Sequence, residues 1–218
     1  MRKRIIISLI LLILLTTITF QQQLVISKFN LKKINIENNF LLKESDLKNL
    51  LIPIYNKNLI FLNNEEIEKA LLQNNFIDSF NIKKKYPDTL KIKIYEKKPI
   101  AILINKKNKF YLSEKIDLIK FENIKIYQNL PYVFGNKDEF KIFYKNLNTI
   151  NFPIARIKKY ILFESKRWDL ETSNKKIIKL PPENYIISLE NYLTLSNKKN
   201  FNRYKVFDYR INNQLILK

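Results

Sequence analysis

The segment that most constrains this chain is its N-terminus: Arg2, Lys3 and Arg4 lead into residues 5–20, a block with no charge and nothing more polar than Ser or Thr. Such a block must leave water, either into a bilayer or by removal. As a helix it is about 24 Å long at 1.5 Å per residue, slightly short of a hydrocarbon core of about 30 Å. Arg4 and the glutamines at 21–23 can reach the interface and the bilayer can thin locally, so the block still spans. A cleaved secretory signal ends in a small-residue site. Here the first alanine is Ala70 and the only glycine is Gly135, which predicts an uncleaved anchor over 5–26. The basic tip, 1–4, is predicted to stay in the cytoplasm, and the long remainder, which translocates largely regardless of charge, to lie outside.

Composition narrows the chemistry. The absence of His and Cys removes Ser-His-Asp and Cys-His catalysis, thiolate redox sites and ordinary zinc sites. A single glycine removes the P-loop and the dinucleotide fingerprint, which need several glycines to bring backbone close to phosphate. Carboxylate-only catalysis, as in glycoside hydrolysis, is the enzyme chemistry left open. No nucleotide-dependent catalysis, no cofactor and no metal site are therefore expected. Without Cys, the exported part must fold on its hydrophobic core alone.

Forty Lys plus Arg against twenty Asp plus Glu gives a formal charge of +20. The excess is mostly Lys, spread along the chain beside abundant Ile and Asn, as a coding bias would leave it. Nucleic-acid recognition would want Arg, aromatic stacking platforms and a glycine-containing motif, so no nucleic-acid partner is expected. Attraction to an anionic membrane surface or polymer remains as a weak background effect.

Beyond the anchor, the patterns favour two domains. Over 31–37, Ile34 and Ile36 alternate with Lys33 and Asn35 as in a half-buried strand. A helix capped by Ser45 or Asp46 follows, with Leu47, Leu50 and Leu51 on one face before Pro53. Asn63 and Glu66 form a variant capping box for a second helix, whose buried stripe is Ile67, Ala70 and Leu71. The period then changes to two: Phe80 and Ile82, a turn at Tyr86-Pro87-Asp88, then Leu90, Ile92 and Ile94. This β-α-α-β-β order predicts a three-stranded sheet with two helices on one face. Further strands are predicted at 100–105, 109–113, 116–121, 157–164, 167–172, 175–180 and 205–217. Two helices interrupt them, 137–148 with Phe140, Phe143, Tyr144 and Leu147 inward, and 183–196 with Ile186, Ile187, Leu189 and Leu193 inward.

The string Lys84-Lys85-Tyr86-Pro87-Asp88-Thr89-Leu90-Lys91-Ile92-Lys93-Ile94-Tyr95-Glu96-Lys97-Lys98-Pro99-Ile100-Ala101, with Lys166-Arg167-Trp168-Asp169-Leu170 and Val206-Phe207-Asp208-Tyr209-Arg210, resembles the bacterial cell-division family FtsQ, called DivIB in some lineages. The resemblance runs the length of the chain, in order. It departs where family glycines are replaced by Asn174, Asn213 and Gln214; Asn tolerates positive φ, so turns at Asn174 and Asn213 stay feasible.

The resemblance implies an α+β fold: a single N-terminal transmembrane helix, a POTRA domain at 27–97 and a β-rich domain with two helices at 98–218. It further implies a non-catalytic bitopic scaffold of the divisome in the inner membrane at the septum, N-terminus cytoplasmic and large domain periplasmic. Such a scaffold binds FtsB-like and FtsL-like proteins and helps recruit and regulate septal peptidoglycan synthesis, with other division proteins as candidates for the POTRA face. Docking by strand addition is expected at the last strand, through Tyr209, Arg210, Ile211, Asn212, Asn213, Gln214, Leu215, Ile216 and Leu217, with Lys166 and Trp168 beside it. Two alternatives compete. A POTRA-bearing transport or outer-membrane assembly factor needs a membrane β-barrel or tandem POTRA units, which this length does not hold. A membrane-anchored cell-wall enzyme needs an acid pair in a cleft.

Overall fold

Two hydrophobic cores with no residue in common organise the chain. The computed structural model describes residues 2–211 and 214–218, with side chains from 4 to 15 and from 27 onward. It divides into two compact units, Met1–Lys97 and Lys98–Lys218. The first opens with helix α1, Arg2–Lys28. Among the described residues no helix is long and apolar enough to cross a membrane; the anchor expected over 5–26 falls partly outside them, because the side chains of 16–26 are not described.

The rest of this unit is β1 (Lys33–Glu37), α2 (Glu44–Leu50), α3 (Asn64–Leu71), β2 (Ile77–Lys85) and β3 (Thr89–Glu96). The sheet order is β1-β3-β2, with β1 parallel and β2 antiparallel to the central β3. Parallel neighbours need a long crossover, and α2 and α3 supply it. Leu90, Ile92 and Ile94 of β3 are sealed against Ile34 and Ile36, against Leu47 and Leu51 of the α2 end, and against Ile67 and Leu71 of α3. Phe80 and Ile82 lie on the same face but only half-buried, because β2 is an edge strand.

Both helix starts differ in detail from the sequence reading. The N-cap residue of α2 is Lys43, without a side-chain bond, so neither Ser45 nor Asp46 caps it. Glu44 and Asp46 instead sit in the first turn, where a carboxylate meets the positive end of the helix dipole. Asn63 does cap α3, accepting from the Glu65 N–H at 3.2 Å. Glu66 does not return the bond; its carboxylate pairs with Lys57. The glutamate of the family-like string has a clear structural role: Glu96 accepts the N–H groups of Phe40, Leu41 and Leu42 at 2.9, 2.8 and 3.0 Å, fastening the loop after β1 to the end of β3.

The second unit is one mixed sheet in the order β12-β11-β10-β9-β8-β7-β4-β5-β6. Its strands are β4 (Pro99–Asn105), β5 (Asn108–Ser113), β6 (Leu118–Lys120), β7 (Tyr132–Phe134), β8 (Ile157–Leu162), β9 (Trp168–Thr172), β10 (Ile177–Lys179), β11 (Val206–Asp208) and β12 (Ile216–Leu217). Helices α4 (Lys137–Thr149) and α5 (Tyr185–Ser196) are the crossovers of the parallel pairs β7–β8 and β10–β11, and both feed the same core. Asn136 caps α4 by accepting the Glu139 N–H at 2.9 Å. Just before it, a Cβ at Gly135 would stand 2.8 Å from the Leu162 Cβ, so the close approach of β7 and β8 requires the chain's one glycine.

Three expectations are corrected here. The predicted strand 205–217 is two short strands, β11 and β12, folded back antiparallel. The reason is local: the Asp208 carboxylate accepts both the backbone N–H of Arg210, at 3.2 Å, and its guanidinium, at 2.8 and 2.6 Å, bending the chain out of the ladder. The positive φ of the β9–β10 turn belongs to Lys175, at 61°, and not to Asn174, which accepts from the Thr172 hydroxyl; Asn213, the other expected turn, lies outside the described residues. On α5 the buried residues are Leu189 and Tyr192, while Ile187 is 68% exposed.

Candidate partner-docking edge

The large sheet ends at β12, whose outer side pairs with no described residue. Val206 and Lys218 exchange both ladder bonds, N–H to O at 2.9 and 3.1 Å. Inward and outward groups alternate along an antiparallel strand. With Ile216 opposite Asp208 and Leu217 opposite Phe207, Ile216 and Lys218 therefore bond inward, and the backbone of Leu217 points out, as does that of Leu215. The Leu217 side chain packs against the core that holds Phe207.

Beside this edge lies a cleft of about 420 Å³ between α5 and the C-terminal loop, lined by Ile187, Asn191, Tyr209, Ile211 and Leu215 among others. Ile187 and Ile211, 68% and 52% exposed, give it an apolar rim. The Tyr209 hydroxyl at its floor donates to Asn191 Oδ1 at 3.0 Å, and burial raises its pKa. Glu183, Asn184, Ser188 and Gln214 line the cleft too, so an unpaired edge beside a cleft of mixed polarity suits an extended segment whose backbone joins the sheet and whose alternate apolar and polar side chains enter the cleft.

Charge runs across the strands toward the edge. Asp169 of β9, Lys179 of β10 and Asp208 of β11 stand in one register row. Arg210 bonds Asp208 and holds its carboxyl below the usual range. Asp169 is shifted the other way: burial raises its pKa, opposed by Arg167, whose Nε lies 3.5 Å away in an ion pair too poorly aligned to be a hydrogen bond.

Sequence comparison bears on the same chain. Residues 29–97 match the POTRA domain, FtsQ-type. The cell division protein FtsQ of Rickettsia bellii (strain RML369-C) is 30% identical over 193 residues, covering 85% of this chain and 71% of that protein. The chain belongs to the FtsQ family. FtsQ proteins of Rickettsia conorii and Rickettsia typhi are 28% and 27% identical over 192 residues, with the same coverage.

Within this FtsQ-family chain the residues singled out from sequence do not form one surface. Ile211, Gln214, Leu215, Ile216 and Leu217 border the edge or its cleft, while Asn212 and Asn213 lie outside the described residues. Trp168, 3% exposed, is stacked on Phe143 at 4.7 Å and 17°. It is a core residue because β9 is internal to the sheet and that face carries α4. Tyr209, 7% exposed, presents little beyond its hydroxyl. Arg210 is committed to Asp208. Lys166 holds the positive-φ position of the β8–β9 turn and pairs with Glu139 at 2.7 Å, its side chain 72% exposed; β10 and β11 separate β9 from β12. Ile187 and Asn191 were missed, because Ile187 fits a helical apolar stripe and only the packing of α5 turns it outward.

Proposed function

We propose that this chain is a non-catalytic, membrane-anchored scaffold of the divisome, docking FtsB-like and FtsL-like proteins by strand addition at β12 and helping to recruit and regulate septal peptidoglycan synthesis. The observation that carries the reading is the open β12 edge, with a cleft beside it whose lining is mixed and whose rim carries the exposed Ile187 and Ile211. A partner strand gains main-chain bonds from Leu215 and Leu217, and alternate side chains reach the cleft through Ile211 and Ile187. Lys205 and Lys218 near the edge favour a partner segment that carries acidic residues.

The anchor in this proposal is α1. Its described apolar side chains, Ile5, Leu9, Leu12 and Leu15, are more than half exposed, and a helix apolar all round is matched by lipid and not by water. The domain division is a cytoplasmic tip at 1–4, an anchor at 5–26 in the inner membrane at the septum, and a POTRA domain at 27–97 and a β domain at 98–218, both periplasmic.

Photo-crosslinking in dividing cells tests the docking site. A crosslinker at Ile211 should capture the FtsB-like protein, whereas one at Ile126, 71% exposed on the same unit, should not. Capture from Ile126 with none from Ile211 would remove β12 as the docking edge. Protease digestion from the outer side tests the anchor; a soluble mature form beginning near Gln21 would overturn it.

A further inference from the structure

One face of the three-stranded sheet packs on α2 and α3; the other is open. Alternation places Lys33, Asn35 and Glu37 of β1, Lys91, Lys93 and Tyr95 of β3, and Asn81, Lys83 and Lys85 of β2 on the open face. Lys33, Lys83, Lys85, Lys91 and Lys93 thus share a surface with the single acid Glu37, which is engaged by Lys91 at 2.7 Å. Lys83 stands directly opposite Lys91 in the antiparallel register. Like charges so paired repel, and of the two it is Lys91 that Glu37 answers.

The lysines are graded along the sheet. The register rows run Lys85–Thr89–Lys33, then Lys83–Lys91–Asn35, then Asn81–Lys93–Glu37, so the uncompensated end is the end where the chain enters from α1. Contacts fix that end next to the exit of the helix. Phe29, immediately after α1, packs edge-to-face on Tyr86 of the β2–β3 turn at 6.0 Å, and the N–H groups of Lys32 and Lys33 donate to the Asp88 carbonyl at 2.9 and 3.2 Å. Tyr86 is itself exposed, an aromatic of the kind that settles at the headgroup level.

We propose that this open sheet face docks on the anionic phospholipid headgroups of the membrane that α1 enters, with Tyr86 at the interface and Lys33, Lys83 and Lys85 against the phosphates. The proposal rests on the anchor reading above. Charge complementarity selects the occupant: a lysine sheet held within a Debye length, about 8 Å, of an anionic leaflet is attracted to it, and salt screens the attraction. Docking would fix the height and orientation of the POTRA domain above the membrane.

The full chain is reconstituted in nanodiscs of phosphatidylcholine and of a two-to-one mixture with phosphatidylglycerol, and lysine reactivity is read by pulsed amine labelling and mass spectrometry. Labelling of Lys83, Lys85 and Lys93 should slow by at least about threefold in the anionic discs, with Lys43 and Lys69, exposed at the two helices of the same unit, unchanged, and should recover when salt shortens the screening length. In the variant K33Q/K83Q/K85Q, whose exposed substitutions leave the melt in place, the slowing at Lys93 should disappear. Equal labelling in both discs overturns the proposal, as does slowing that is the same without anionic lipid or that survives the variant. Protection that appears only on adding an anionic cell-wall polymer also overturns it. A chain that stays out of the discs sinks the anchor reading and this one together, whereas incorporation with equal labelling sinks this one alone.

Discussion

Leu217→Pro tests strand addition at a single bond. Because Lys218 and Ile216 bond inward to β11, the Leu217 N–H serves no ladder bond among the described residues, and proline there removes an outward donor together with the partly buried Leu217 side chain, whose share Leu217→Ala measures by itself. A partner strand that accepts from this N–H loses a bond worth about 0.5–1.5 kcal/mol net and keeps an orphaned carbonyl, so the total is about 1–3 kcal/mol. That range is about 5- to 150-fold in Kd. The assay is titration of the FtsB-like segment against the full chain, with thermal melts run in parallel. Ile216→Pro is the contrasting variant: by the same alternation it breaks a bond to Asp208 inside the sheet, so both the melt and the binding should fall. If Leu217→Pro melts and binds the segment as Leu217→Ala does, no partner backbone is bonded at this edge and the reasoning fails.

Ile92→Asp puts a carboxylate at a fully buried position in the centre of the POTRA sheet and should cost at least about 3 kcal/mol; loss of the POTRA transition in calorimetry checks it, with the other transition retained because the two cores share no residue. Trp168→Ala should destabilise the second unit by about 3–5 kcal/mol, while Lys166→Ala, which removes only an exposed ion pair, should stay within about 0.5 kcal/mol; chemical denaturation of each separates a packing role from a contact role. Asp208 has its pKa lowered chiefly by the Arg210 hydrogen bonds, so its charged form stabilises the fold above the ordinary carboxylate range, and that stability is lost as pH falls through the folded pKa. Asp208→Asn should therefore be less stable than wild type at neutral pH, with the gap closing below pH of about 4; denaturation midpoints at both ends of the window measure it.

What the sequence determined is whatever a local period can carry. Alternation at Ile34, Ile36, Leu90, Ile92 and Ile94, and helical spacing at Ile67, Ala70 and Leu71 and at Phe140, Phe143 and Leu147, are burial patterns that one chain segment displays by itself, and all of these side chains are buried. The family-like string was legible only in part for that reason: Pro87 and Asp88 set a local turn, whereas Glu96 answers backbone donors at 40–42, more than fifty residues away, which no local period displays. β7 was missed because its three residues bury only Val133, too short a run to show a period. The edge itself belongs to tertiary structure. The segment 205–217 has the alternation of one strand, and only the bend made by Asp208 and Arg210 divides it into β11 and β12. Which backbone groups face outward is a matter of register with β11, and whether Ile187 or Trp168 is exposed depends on how α5 and α4 lie on the sheet. Those are relations between distant segments, decided by packing, and no window of the sequence contains both partners.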